Sequence, residues 1–123
     1  VSTVPVDLTN SLGTIHITDE VIAVLAGSAA LECYGLVGMA SRTLKDGIAE
    51  LLGRENLSRG IEVRREGDEL HIDMHIIVSY GVRISEVAAN IQAKVRYVLN
   101  ELLGLQVDAI NIYVQGVRVA QQG

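Results

Sequence analysis

Between Arg83 and Leu103 the apolar residues Ile84, Val87, Ala88, Ile91, Val95, Val98 and Leu102 recur at helical spacing, and Gly104 follows. That pattern gathers them into one stripe of a long amphipathic helix, which the glycine ends. Such a stripe must be covered by another element, and the neighbouring segments carry the complementary pattern. Gly60-Ile61-Glu62-Val63-Arg64 and Leu70-His71-Ile72-Asp73-Met74-His75-Ile76 alternate as strands do, with Glu66-Gly67-Asp68 supplying turn chemistry between them. Together they predict a β-hairpin. Beyond the helix, Ile110, Ile112 and Val114 share one face of a further strand, while Val117 and Val119 fall on the opposite phase, with Gly116 between them. A phase change of one at a glycine predicts a bulge or bend.

Upstream, residues 1–12 lack a clear period and read as a flexible lead-in, after which Gly13-Thr14-Ile15-His16-Ile17 reads as a short strand. Thr18 stands where a helix N-cap belongs, and Asp19 and Glu20 suit the positive end of the helix dipole. The helix is expected to run to Cys33 with Val21, Ile22, Leu25, Ala29 and Cys33 on one face. Ala23, Ala26, Gly27, Ser28, Ala29 and Ala30 make it slim, which permits close approach of another backbone. Gly35 falls where a left-handed C-terminal cap is expected, and a second, shorter helix is expected over Leu44 to Leu52. The predicted order is β-α-α-β-β-α-β. Two or three helices on one face of a mostly antiparallel sheet of about four strands would bury every apolar face named, giving a two-layer α+β sandwich. Residues 13–119 form a single domain in this reading, with 120–123 a tail.

Length and composition agree with one globular domain. The chain has 123 residues, 49% hydrophobic and 20% charged, so disorder and fibrous repeats are excluded. Its four aromatic residues, Tyr34, Tyr80, Tyr97 and Tyr113, leave the core to aliphatic packing and offer few platforms for stacking bases. Net charge is −5, residues 1–40 hold no Lys or Arg, and the one mildly basic stretch surrounds Arg54, Arg59, Arg64 and Arg65. Phosphate-binding surfaces are normally basic, so nucleic acid is an unfavoured partner. The lone Cys33 closes no internal disulfide and no signal peptide is visible, which makes the cytoplasm the expected compartment. Val21 to Leu31, the longest uncharged apolar-rich run, is too short to insert in a bilayer. Membrane association is therefore expected only through a partner.

Three constellations invite chemistry. His71, Asp73 and His75 lie at i, i+2 and i+4, one face of a strand, and carry metal-ligand types. A straight strand spaces such residues roughly 6.5–7 Å apart, too far to close on one ion unaided, so the alternating face of a half-exposed sheet is the simpler reading. Cys33 becomes a nucleophile only beside a base, and its register on the apolar face favours a small buried hydrophobe. Gly35-Leu36-Val37-Gly38, between two expected helices, is similar to the Gly-X-X-Gly loop of KH domains, which clamps single-stranded nucleic acid. Its two middle residues are apolar and the nearest cation is Arg42. No phosphate loop, hydrolase triad or paired-carboxylate cleft is present, and no cofactor is expected.

Glycines also mark places for close approach. Tyr34-Gly35, Gly38, Tyr80-Gly81 and the terminal run Gly116-Val117-Arg118-Val119 are candidate interaction residues, the last as an exposed strand edge where a partner strand or a second copy pairs.

Several segments together carry a family resemblance. They are Gly13 to Ile17 with Asp19-Glu20-Val21-Ile22-Ala23; Glu32-Cys33-Tyr34-Gly35-Leu36-Val37-Gly38-Met39; Val78-Ser79-Tyr80-Gly81; Ile84-Ser85-Glu86-Val87-Ala88; Ile91-Gln92 with Val95; and Asn111-Ile112-Tyr113-Val114-Gln115-Gly116-Val117. In that order the chain resembles the alkaline shock protein family, also called the envelope stress response family, of Gram-positive bacteria. The resemblance implies a cytoplasmic protein without established enzymatic activity, linked to cell-envelope and general stress. Some members self-associate and are held near the membrane by a small membrane-anchored partner; this chain is similar to the compact members. The family has no agreed catalytic residues to carry over. The expected function is thus a non-enzymatic interaction or scaffold protein acting through self-association and protein partners, with KH-like nucleic-acid binding through Gly35 to Gly38 as the alternative.

Overall fold

One strand, Glu69–Ser79, organises the molecule. A computed structural model describes residues 6–41, 51–52 and 58–119. The elements, in chain order, are β1 (Val6–Asn10), β2 (Gly13–Ile17), α1 (Asp19–Leu31), β3 (Leu36–Met39), β4 (Ile61–Glu66), β5 (Glu69–Ser79), α2 (Ile84–Leu103) and β6 (Ala109–Arg118). β4 pairs antiparallel with Glu69 to Met74 of β5, and β3 pairs antiparallel with Ile76 to Val78. β6 pairs parallel with His71 to Ser79. A strand has only two edges, so β3 and β4 lie end to end along one edge of β5 and β6 takes the other. The parallel pairing follows from the connection, because a helical crossover returns the chain to the end of the sheet where β5 began.

Both helices cover one face, giving the two-layer α+β arrangement that the periodicities predict. Leu70, Ile72, Met74, Ile76 and Val78 of β5 face Val87, Ile91, Val95 and Leu99 of α2 and Ile22, Ala26, Ala29 and Ala30 of α1 in one buried cluster. Each large aliphatic side chain buried there contributes roughly 1.5–3 kcal/mol. The caps are as the sequence predicts at two ends. Thr18 Oγ1 accepts the Val21 N–H at 3.4 Å. Gly104 adopts φ +68°, its N–H donating to Asn100 O at 2.9 Å while the Leu105 N–H donates to Leu99 O at 3.3 Å.

Other expectations are corrected. Part of the supposed lead-in, Val6–Asn10, is β1, paired antiparallel with β2 around a two-residue turn in which Asn10 Oδ1 accepts the Leu12 N–H at 2.8 Å. Alternation in so short a strand is masked by the apolar turn residue Leu12. α1 ends at Leu31, with Glu32 as its cap and Gly35, at φ +90°, three residues further on. Its buried side includes Ala23, Ala26, Gly27 and Ala30, while Val21 is exposed: the small residues set the packing side, since they let α1 close on its neighbours. Leu36 to Met39 is a strand where a helix-to-helix turn is expected. The predicted helix over 44–52 lies outside the described residues except for Leu51 and Leu52. Leu51 bridges Ala40, and the Leu52 N–H donates to Met39 O at 2.8 Å.

The β6 bulge is present. Between the pairs Ile76 with Val114 and Ile77 with Gly116 the register moves by one, leaving Gln115 as the extra residue. Val117 then stands opposite Val78, so the bulge returns it to the face of Ile110, Ile112 and Val114.

Candidate interaction surfaces

The sheet face away from the helices is polar around Asp73, with a small buried cluster of Ala40 and Ile77 towards its other end. Arg64 donates twice to Asp73, from Nε to Oδ2 at 2.7 Å and from Nη2 to Oδ1 at 3.2 Å, and Asn111 Nδ2 donates to the same Oδ1 at 2.8 Å. One carboxylate thereby ties β4, β5 and β6 together, and Arg64 also contacts Glu66. Burial pushes the Asp73 carboxyl up, but the hydrogen bonds from Arg64 and Asn111 outweigh it and hold the group below the usual carboxylate range. His71 Nε2 lies 2.9 Å from Glu69 Oε1, while the His75 ring stacks on Tyr113 with centroids 5.0 Å apart, and His75 Nδ1 lies 3.0 Å from Gln115 Nε2.

These contacts occupy the three residues of metal-ligand type. His71, Asp73 and His75 do share a face, yet Asp73 offers its oxygens to Arg64 and Asn111, and the two imidazoles turn to different partners. Among the described residues no three His, Cys, Asp or Glu side chains are grouped to hold an ion. Cys33 is half-buried with Sγ 3.8 Å from Ala29 O, and burial, followed by opposing effects of Lys94 and Glu32, raises its pKa. A thiol held in that form is the reverse of an activated nucleophile.

The Gly35 to Gly38 segment is no exposed loop between helices. The Ser79 N–H donates to Gly35 O at 2.9 Å. A Cβ on Gly35 would lie 2.7 Å from Val87 Cγ2, and one on Gly38 2.8 Å from Leu51 Cδ1. Both glycines lie against neighbouring side chains, in or next to a paired strand, which removes the geometric basis of the KH-like reading. Of the mildly basic stretch and its neighbour Arg42, Arg42 and Arg54 lie outside the described residues, and Arg64 and Arg65 pair with Asp73 and Asp19.

The remaining candidates converge. Gly35 bonds Ser79, and the Tyr80 N–H donates to Arg118 O at 2.8 Å, so β3, β5 and β6 meet side by side at one end of the sheet. Tyr34, Tyr80, Gly81, Val117 and Val119 are all exposed along that rim, Val119 at 74%, while Gly38 and Gly116 are not. From the rim the outer edge of β6 runs the length of the sheet. Among the described residues β6 pairs with β5 alone, so alternate backbone groups along ten residues face outward.

Reasoning from sequence missed what lies beside that edge. Two adjoining depressions share Arg96: one of about 520 Å³ lies between α2 and the Leu105 to Asp108 segment, and one of about 460 Å³ between α2 and the start of β6. Ala89 and Ala93 open the helix flank, Asn111 and Ile110 form the strand side, and Gln92 Nε2 reaches across to donate to Ile110 O at 2.8 Å. A helix wheel places Ala89, Gln92, Ala93 and Arg96 on one stripe, but only the parallel crossover sets that stripe against β6.

A family model described as the alkaline shock protein 23 family, with cell envelope-related function, matches residues 7–119. The uncharacterised protein YloU of Bacillus subtilis (strain 168) is 59% identical over 115 residues, covering 93% of this chain and 96% of the relative. The uncharacterised protein Spy1614 of Streptococcus pyogenes serotype M6 is 43% identical over 108 residues, covering 87% and 89%, and YqhY of B. subtilis is 36% identical over 107 residues, covering 87% and 78%. No solved structure matches the chain.

Proposed function

The chain belongs to the alkaline shock protein 23 family, whose function is cell envelope-related, and on that basis we propose that it is a non-enzymatic interaction protein that works through self-association and protein partners. The observation that carries this reading is the outer edge of β6, ten residues long, unpaired by any described strand and continued by the exposed Val114, Val117 and Val119. Long edges of this kind pair with other strands unless blocked. The groups that resemble catalytic ones support it from the other side, being engaged in holding the sheet together or packed in the helix layer. Among the described residues no helix is long and apolar enough to cross a membrane. The family's cell envelope-related function supports the further proposal that the protein acts from the cytoplasm, with a small membrane-anchored protein as the second partner class.

Light scattering across a wide concentration range tests self-association, and purification of the tagged chain from its own cells, with and without nuclease and mild detergent, tests the partner. The expected result is an oligomer that recovers itself and a small membrane protein regardless of nuclease. A strict monomer that recovers no protein partner would refute the reading.

A further inference from the structure

The outer edge of β6 is not uniform, and the hydrogen bonds of the sheet show which part of it is open. The His75 carbonyl accepts the Ala40 N–H on the β3 side, so His75 and the residues alternating with it turn their backbone groups that way, and Ile72, Met74 and Ile76 turn theirs to β6. In a parallel pair a residue bonds the two that flank its partner. With Ile72 opposite Ile110 and Met74 opposite Ile112, the residues of β6 bonded inward are Ala109, Asn111 and Tyr113. Ile110, Ile112 and Val114 therefore point their N–H and C=O outward. Beyond the bulge the Tyr80 N–H donates to Arg118 O, which turns Arg118 inward along the backbone and leaves Val117 and Val119 outward.

Gln92 of α2 donates its side-chain amide to Ile110 O, one of these outward groups, at 2.8 Å. That bond closes the edge at its start. The open stretch runs from Ile112 to Val119, with Val114, Val117 and Val119 exposed along it.

Charge says what fits there. Residues 109–119 hold no Asp or Glu and a single cation, Arg118. Arg118 is exposed, as is Arg83 at the end of the connection that Tyr80 begins, and neither pairs with an acidic group among the described residues. The β6 strand of a second copy would bring another Arg118 to this edge and no carboxylate. An acidic strand supplies what is lacking.

We infer that the edge from Ile112 to Val119 takes an extended acidic segment of a partner protein as an added strand, its apolar residues beside Val114 and Val117 and a carboxylate at Arg118, with Gln92 marking where the site ends. The inference rests on the edge reading proposed above and names the partner's chemistry. One edge holds one strand, so the acidic segment displaces a second copy from it.

A peptide of about eight residues, the length of the open stretch, tests this. It alternates valine and threonine and carries glutamate at both ends, so that either strand direction brings a carboxylate to Arg118; its control has lysine in place of glutamate. Calorimetry with the full chain is expected to show the glutamate peptide binding about tenfold more tightly than the lysine peptide. Light scattering is expected to show the glutamate peptide lowering the mass of the oligomer. Arg118→Glu, an exposed change that leaves the circular dichroism spectrum unchanged, is expected to reverse the preference between the peptides. Val117→Pro removes an outward N–H and no internal hydrogen bond, and is expected to abolish binding of both. Equal binding of the two peptides, or a preference unmoved by Arg118→Glu, overturns the acidic partner and leaves self-association standing. Glutamate-peptide binding that survives Val117→Pro overturns the edge as the site. A chain that self-associates and binds neither peptide overturns this inference alone, and one that neither self-associates nor binds overturns the reading beneath it as well. Arg118-dependent sedimentation with phosphatidylglycerol vesicles, without peptide binding, would make the cation a lipid contact and also overturn the inference.

Discussion

Two β-hairpins of the chain, β1–β2 and β4–β5, are built on the same rule and end in opposite states. Each alternates apolar and polar residues about a turn with glycine at positive φ, Gly13 at +142° and Gly67 at +64°. In β4–β5 the apolar side, with Ile61, Val63, Leu70, Ile72 and Met74, is roofed by the helices, and the polar side is closed by Arg64, Asp73 and Asn111. In β1–β2 only Ile17, at the base, joins that core, while Leu8 and Ile15 on the same face stay 36% and 49% exposed. The difference teaches that alternation fixes which residues share a face but not what covers it. Cover comes from elements distant in sequence, and a hairpin without it is available to a partner.

The sharpest break of this contrast comes from truncating each apolar face. Ile72→Ala should cost about 2–5 kcal/mol in urea unfolding, through lost burial and the cavity left behind. Next comes the polar lock. Asp73→Ala should cost about 1–3 kcal/mol, since it strands a partly buried guanidinium. Because the Asp73 carboxyl is held below its ordinary value in the folded protein, its contribution is complete above the usual carboxylate pKa and fades as pH falls through the lowered one. The variant should therefore lose less stability on acidification than the parent, as thermal melts down to acidic pH would show. At the two turns, Gly67→Ala should cost about 1 kcal/mol of global stability from the left-handed backbone alone, with open space around it. Gly13→Ala, strained in a similar way but in the β1–β2 hairpin, should leave the global midpoint unchanged. Smallest of all, Leu8→Ala in dilute protein should shift stability by no more than about 0.5 kcal/mol, as an exposed substitution does. A core-sized loss from Leu8→Ala would erase the distinction between the hairpins.

What the sequence made legible was whatever is encoded locally. The α2 stripe with Gly104, the β4–β5 hairpin and the bulge before Gly116 all arise from spacing within one element. The misreadings arise where a long-range partner decides. Leu36 to Met39 is a strand because Ile76 to Val78 offer it an edge, and its glycines answer to Val87 and Leu51 rather than to a ligand. His71, Asp73 and His75 share a face as their spacing requires, but Asn111, 38 residues away, helps claim the central carboxylate. The groove beside Arg96 was illegible for the same reason, since its walls meet only through the crossover. Tyr34, Tyr80 and Val119, separate candidates in the sequence, lie on one rim because β3, β5 and β6 end together there.

Amide hydrogen exchange, recorded at low and high protein concentration, tests the central claim most directly, because it reads the two hairpins and β6 in one experiment. The account predicts β4–β5 amides protected equally at both concentrations, with the outward-facing amides of β6 gaining protection as concentration rises. Concentration-independent exchange at β6 would contradict it.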